Sequence, residues 1–200
     1  MRGERGVSRG ASLDYLGQML PIEAQGLRIR VMAPEDAAAV QYSRFHPENE
    51  RYSGWRPPTV DEVADYARQQ SAATIARESG VVQLVIEEDG HFVGDFGVRT
   101  HEPIPTIELG ITLHPEAKGR GIATRATRVL MAALFELGVH RIVARVDPRN
   151  APSLALFERL GFRREGHEVE CYWDDAYEEW TDEVTFALLK REWPPAASGV

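Results

Sequence analysis

Residues 113–124 read Leu-His-Pro-Glu-Ala-Lys-Gly-Arg-Gly-Ile-Ala-Thr, and they lie between a strand-like run and a run with helical spacing. Pro105 to Leu113 reads as a strand, whereas Ile122 to Leu137 repeats apolar residues at Ala126, Val129, Ala133 and Leu137. The chain must therefore pass from strand to helix within a few residues. Gly119 and Gly121 supply the backbone freedom for so tight a curl. Ala123 is small enough for a ligand to approach, so successive N–H groups at the helix start can converge on an anion. The plain alternative is a tight turn flanked by two solvated cations, Lys118 and Arg120. A Gly-x-x-x-x-Gly-Lys-Ser/Thr loop is excluded, because neither Lys-Ser nor Lys-Thr follows Gly121. A dinucleotide fingerprint comes closer, with Thr124 where a third glycine belongs and Asp147 ending the next strand. A strand hairpin precedes this loop, however, and dinucleotide domains open with the loop itself.

That hairpin is Val81 to Ile86 and His91 to Val98, joined by Glu87-Glu88-Asp89-Gly90, whose Asp-Gly favours a tight antiparallel turn. Upstream, Leu27 to Val31 alternates apolar and polar residues as a half-buried strand does. Pro34-Glu35-Asp36 then opens an Ala-rich helix to about Phe45, and Thr59 caps another through Val63, Tyr66, Ala67 and Ile75. The loop between them, residues 46–58, carries Tyr52 and Trp55, read as exposed. Downstream, Arg141 to Val146 is a buried strand, Asn150 and Pro152 start a helix ending at Leu160-Gly161, and Phe162 to Trp173 with Trp180 to Leu189 form a closing antiparallel pair. The expected fold is a single α/β domain on a mixed, mostly antiparallel sheet flanked by helices. Its parallel step falls across the helix Ile122 to Leu137. The domain spans 27–193, after an N-terminal extension, 1–26, that is partly mobile and forms a helical turn or two between Leu13 and Leu20. A tail, 194–200, follows it.

The 200 residues carry 23 Lys plus Arg against 31 Asp plus Glu, a net charge of -8 that argues against nucleic acid or an anionic membrane as partner. The lone Cys171 allows no intramolecular disulfide, and neither a membrane-spanning run nor a signal peptide is visible, so a cytoplasmic setting is expected. The 6 histidines lack metal-ligand spacing, no metal is expected, and Cys171 reads as a buried structural thiol.

The loop from Lys118 to Ala123 follows a strand that ends at His114-Pro115. Asp147-Pro148-Arg149-Asn150-Ala151-Pro152-Ser153 and Glu158-Arg159-Leu160-Gly161-Phe162 come later, in that order. Together they resemble the GCN5-related N-acetyltransferase (GNAT) superfamily, and most closely its branch of ribosomal-protein N-terminal acetyltransferases. The likeness runs from about Leu27 to Trp193, with Lys118 standing where the family has Gln or Arg. It implies a sheet splayed at an acetyl-CoA site. It further implies that the backbone of Lys118, Gly119, Arg120, Gly121, Ile122 and Ala123, with the Thr124 hydroxyl, binds the pyrophosphate. Leu113 would pair with the pantetheine and thioester through its backbone, and Asn150 would touch the pantetheine arm, cap its helix, or do both.

Acetyl transfer to an amine needs a base, an oxyanion donor and a partner for the departing thiolate. Glu108, within Ile107-Glu108-Leu109-Gly110, is the candidate base, against a carboxylate merely satisfied on the sheet; Asp95, His101 and Glu102 are weaker candidates. Where relatives carry a tyrosine acid this chain has Phe157, so the role passes to Ser153, whose plain alternative is a first-turn helix residue. The expected activity is direct acetyl transfer, in a ternary complex, to a protein N-terminal α-amine or a small-molecule amine. A non-catalytic acyl-CoA sensor and a dinucleotide-dependent oxidoreductase are the alternatives, and a homodimer is compatible with any of them. Asp174 to Glu183 holds no Lys or Arg, which points either to a cationic acceptor or to a solvated acidic hairpin.

Overall fold

The computed structural model describes residues 16–70, 81–101 and 105–193. The expected extension of the second helix to Ile75, the candidate Glu102, and both chain ends lie outside them.

A short helix α1 (Leu16–Met19) and strand β1 (Ile22–Ala24) lead into β2 (Leu27–Val31). Two helices follow, α2 (Ala37–Phe45) and α3 (Val60–Gln69), then the hairpin β3 (Val81–Glu88) and β4 (His91–Thr100). Strand β5 (Thr106–Leu113), helix α4 (Ile122–Glu136), β6 (Arg141–Val146), α5 (Ala151–Arg159), β7 (Arg163–Asp174) and β8 (Glu179–Leu189) complete the chain. The eight strands form one sheet in the order β1-β2-β3-β4-β5-β6-β8-β7, in which only β5 and β6 are parallel. Part of the N-terminal extension belongs to this body, since β1 pairs with β2 and Leu16 is fully buried in the core.

Local chemistry accounts for the boundaries. The β3–β4 turn takes Asp89 and Gly90 at positive φ (51° and 76°), the geometry for which Asp-Gly is selected. Thr59 caps α3 by accepting from the Glu62 N–H, and Gly138, at φ 92°, stops the chain just past α4.

Strand alternation sorts side chains onto two faces. Ile29, Leu84, Ile86, Phe96, Val98, Ile107, Leu109, Ile142, Ala144, Val184 and Phe186 face α4 and α5 in the larger core. The opposite face carries a smaller cluster under α2 and α3, with Met32, Val40, Val63, Ala67 and Val85. Farther along this face the outward positions are polar and line an open cleft: Arg99 on β4, Glu108 and Thr112 on β5, Arg145 on β6 and Glu183 on β8.

Beneath α2 lies one buried ion pair. Asp95 is fully buried and Arg44 nearly so, and Arg44 Nη2 donates to Asp95 Oδ1 while its guanidinium stacks 5.4 Å from the Trp55 ring. Among the described residues, Asp95 Oδ2 and Arg44 Nε have no hydrogen-bond partner. Burial pushes the Asp95 carboxyl up, against the pull of Arg44. Trp55, expected to be exposed, is partly buried in this cluster, whereas Tyr52 is exposed.

Candidate active site

Strands β5 and β6 pair only through Thr106–Arg141, Ile107–Ile142 and Glu108–Val143. Past Glu108 they part: β5 continues along β4 alone, and β6 along β8. This is the expected splay. At its far end β5 passes through a short turn into α4.

The turn has the geometry of an anion cradle. Gly119 and Gly121 sit in the left-handed region (φ 74° and 75°), and Gly121 is the N-cap of a helix of 15 residues with no acidic residue in its first turn. Among the described residues, none of the backbone N–H groups from Gly119 to Thr124 donates to a protein acceptor; the first bond of the helix runs from the Arg125 N–H to Gly121. An unsatisfied helix start with the positive end of the helix dipole behind it favours a bound anion. The nearby cations are turned elsewhere. Lys118 Nζ lies 2.9 Å from Glu48, and Arg120 and Arg125 both hold Glu88, whose carboxyl they keep below its ordinary range. The Thr124 hydroxyl accepts from Arg159 at 3.4 Å. Leu113, at the end of the splay, has its carbonyl accepting from Asn49 Nδ2 at 3.0 Å.

On the open face of the sheet the splay leads into a cleft of about 550 Å³. Its floor is β4, β5 and β6. One wall is α5 with Asn150, Ser153 and Phe157, and the other is loop 51–56 with the β7–β8 hairpin. Arg56 grips Asp174 with two bonds of 2.8 Å, and Glu179 receives Arg51 and Arg149 at 2.8 Å each, so loop and hairpin are tied together across the mouth. Arg56 holds the Asp174 carboxyl below its ordinary range.

Glu108 stands on this floor and not among apolar side chains, as its sequence neighbours suggested. Alternation turns Ile107 and Leu109 into the core and Glu108 into the cleft, 23% exposed. Its Oε2 lies 3.1 Å from His101 Nε2 and 3.9 Å from Arg145 Nε. His101 was a lesser candidate by sequence, and only the β4–β5 pairing brings the two together. Asn150 caps α5, its Oδ1 accepting from the Ser153 N–H at 3.2 Å, and both residues line the cleft. Phe157 is buried, with its ring against Phe162 and Phe186. The glycine loop and Leu113 do not line the cleft; they sit at the other end of the splay.

Two sequence expectations change. Cys171 is exposed on the edge strand β7 and is not a buried structural thiol. The acidic hairpin is not a free negative surface either: Asp174, Glu179 and Glu183 each hold an arginine, and Asp182 pairs with His167 at 2.7 Å. Among the described residues no helix is long and apolar enough to cross a membrane.

An eight-stranded sheet with one parallel pair, opened where that pair stops and followed by a glycine-capped helix, defines an acetyltransferase architecture and not a doubly wound dinucleotide fold. Residues 26–163 match the family model of the acetyltransferase (GNAT) domain, and the chain belongs to that family. It is 35% identical over 111 residues to the uncharacterized N-acetyltransferase YnaD of Bacillus subtilis (strain 168), covering 55% of this chain and 64% of that one. It is 30% identical over 140 residues to the L-amino acid N-acyltransferase MnaT of Escherichia coli (strain K12), covering 68% and 79%. Among solved structures, Mycobacterium smegmatis RimJ in complex with CoA-disulfide superposes with a TM-score of 0.71 at 26% identity, over 84% of each chain. The ribosomal-protein-S5-alanine acetyltransferase of Vibrio fischeri shares the fold at TM-score 0.70 and 21% identity, over 86% of this chain and 98% of that one.

Proposed function

We propose that this protein transfers the acetyl group of acetyl-CoA directly to a primary amine, a protein N-terminal α-amine or the amine of a small molecule, in a ternary complex. One observation carries the reading. A run of unpaired N–H groups at the head of α4 lies at one end of a sheet splay whose other face opens on a carboxylate–histidine pair.

Each residue then has a task. The N–H groups of Gly119 to Thr124 hold the pyrophosphate, with Lys118 and Arg120 adding long-range positive charge. The Leu113 N–H and the Asn150 amide fix the pantetheine arm across the splay. An ammonium group is no nucleophile, so Glu108 takes a proton from the amine, directly or through His101. That first proton passes on to solvent; as the C–N bond forms and the C–S bond breaks, the Ser153 hydroxyl steadies the thiolate, and the second proton lost by nitrogen ends on the free thiol. A thiol has a pKa near 8.5, so a hydrogen bond suffices where Phe157 cannot donate. The products are an N-acetyl amine and CoA.

Calorimetry with acetyl-CoA and with NADH, followed by thiol release from acetyl-CoA over a panel of amines and N-terminal peptides, tests the reading. Acetyl-CoA should bind, NADH should not, and at least one amine should release thiol. Tight acetyl-CoA binding with no release from any amine would instead favour an acyl-CoA sensor, to which the missing tyrosine points.

A further inference from the structure

Of the charged side chains that line the cleft, one arginine stands without a carboxylate beside it among the described residues. Five arginines line it, and four are committed: Arg44 to Asp95, Arg51 to Glu179, Arg56 to Asp174, and Arg145 to Glu183. Arg99, exposed on β4, has no carboxylate within 4.0 Å among the described residues. Of the lining carboxylates, Asp174, Glu183 and Asp147 each hold an arginine, whereas Asp182 and Glu108 have a histidine as their near neighbour, His167 and His101. Among the described residues, the arginine left unpaired in the cleft is Arg99.

That cation is well placed. Arg99 is the direct cross-strand partner of Glu108, so their Cβ atoms stand about 5 Å apart on one face. Yet Glu108 turns to His101, leaving the guanidinium without a carboxylate partner among the described residues. Next along the sheet Gly97 faces Gly110, and a Cβ on Gly110 would meet nothing within 4 Å. Above Gly110 the sheet next to the Arg99–Glu108 pair is bare, while the Gln83 and Val81 side chains flank Gly97. A small, short molecule can lie on that floor.

We infer that the acceptor carries a carboxylate close to its amine, as an amino acid does, and that Arg99 binds this carboxylate while Glu108 and His101 receive the amine. This deepens the proposed acetyl transfer and rests on it. A planar guanidinium matches a carboxylate with two parallel N–H···O bonds, which fixes the amine's distance from Glu108.

The test is thiol release from acetyl-CoA with the common amino acids, their carboxamides, spermidine and short N-terminal peptides, for the wild type, Arg99→Gln and Arg99→Lys. At least one amino acid should exceed its carboxamide in kcat/KM by about tenfold or more, the range for a hydrogen bond to a charged group. In Arg99→Gln that ratio should fall toward one, and Arg99→Lys should keep part of it. A ratio unchanged in Arg99→Gln, or a wild type that prefers the carboxamide, spermidine or peptides, overturns the inference while leaving acetyl transfer standing. Release from no amine at all overturns both.

Discussion

Gly121→Asp places a carboxylate at the mouth of the N–H cradle, and Gly121→Asn places the same shape there without charge. Gly121 has φ 75° and ψ 4°, and a Cβ there meets nothing within 4 Å, so the cost of either side chain to folding is backbone strain and not collision. Strain in the left-handed region is about 1–2 kcal/mol, and Asn and Asp tolerate it better than other residues. For a chain of 200 residues that lowers Tm by roughly 2–8 °C, similarly in both variants. Binding should separate them. A carboxylate about 5 Å from a phosphate charge costs about 1–3 kcal/mol between effective dielectric constants of 80 and 20. A pyrophosphate presents at least two such charges, so Gly121→Asp should bind acetyl-CoA about 30-fold to 10⁴-fold more weakly than Gly121→Asn. The gap should narrow as added salt shortens the screening length. Calorimetry on both folded variants, with Tm from circular dichroism, makes the measurement. Equal affinity in the two would mean that no anion sits at this helix start, and the assignment of the loop would fall with it.

Glu108→Gln should lower kcat by about 10²-fold or more while acetyl-CoA affinity holds, and a wild-type pH–rate profile in that variant would remove Glu108 from the chemistry. Ser153→Ala should slow turnover more modestly; a change confined to Tm would leave Ser153 as a helix-start residue. Arg44→Met strands the buried Asp95 carboxylate, a loss of about 3–5 kcal/mol or roughly 6–20 °C in Tm, and Arg44→Met/Asp95→Leu should recover most of it. Thermal unfolding of both variants reads this directly, and a double variant as weak as the single one would contradict it. Because Arg56 holds the Asp174 carboxyl below its ordinary 3.8, the pair stabilises the fold above that value and loses its effect as pH falls through the lower folded value. The Tm difference between wild type and Asp174→Asn should thus be full above about pH 5 and shrink below 3.8, and a difference independent of pH would refute the pairing.

Much of this protein is written in local pattern. Alternation in Leu27 to Val31, the Asp89-Gly90 turn, the Thr59 cap and the spacing of Ala126, Val129 and Ala133 each fix an element through interactions within a few residues of one another. Gly119 and Gly121 likewise mark the left-handed turn before α4, because few other residues hold that backbone conformation without strain. What local pattern does not carry is the meeting of residues far apart in the chain. Glu108 looks apolar-flanked in sequence, yet its direction depends on which face of β5 the core takes, and its company depends on the β4 register that brings in His101 and Arg99. The hairpin from Asp174 to Glu183 reads as bare negative charge until Arg51, Arg56, Arg145 and Arg149 arrive from other segments. Cys171 reads as buried because strands of its composition usually lie inside a sheet, but only the strand order makes β7 an edge. Composition and spacing determined the class of fold and the glycine turn before α4; pairing across the sheet, which joins residues far apart in the chain, decided which charged side chains meet.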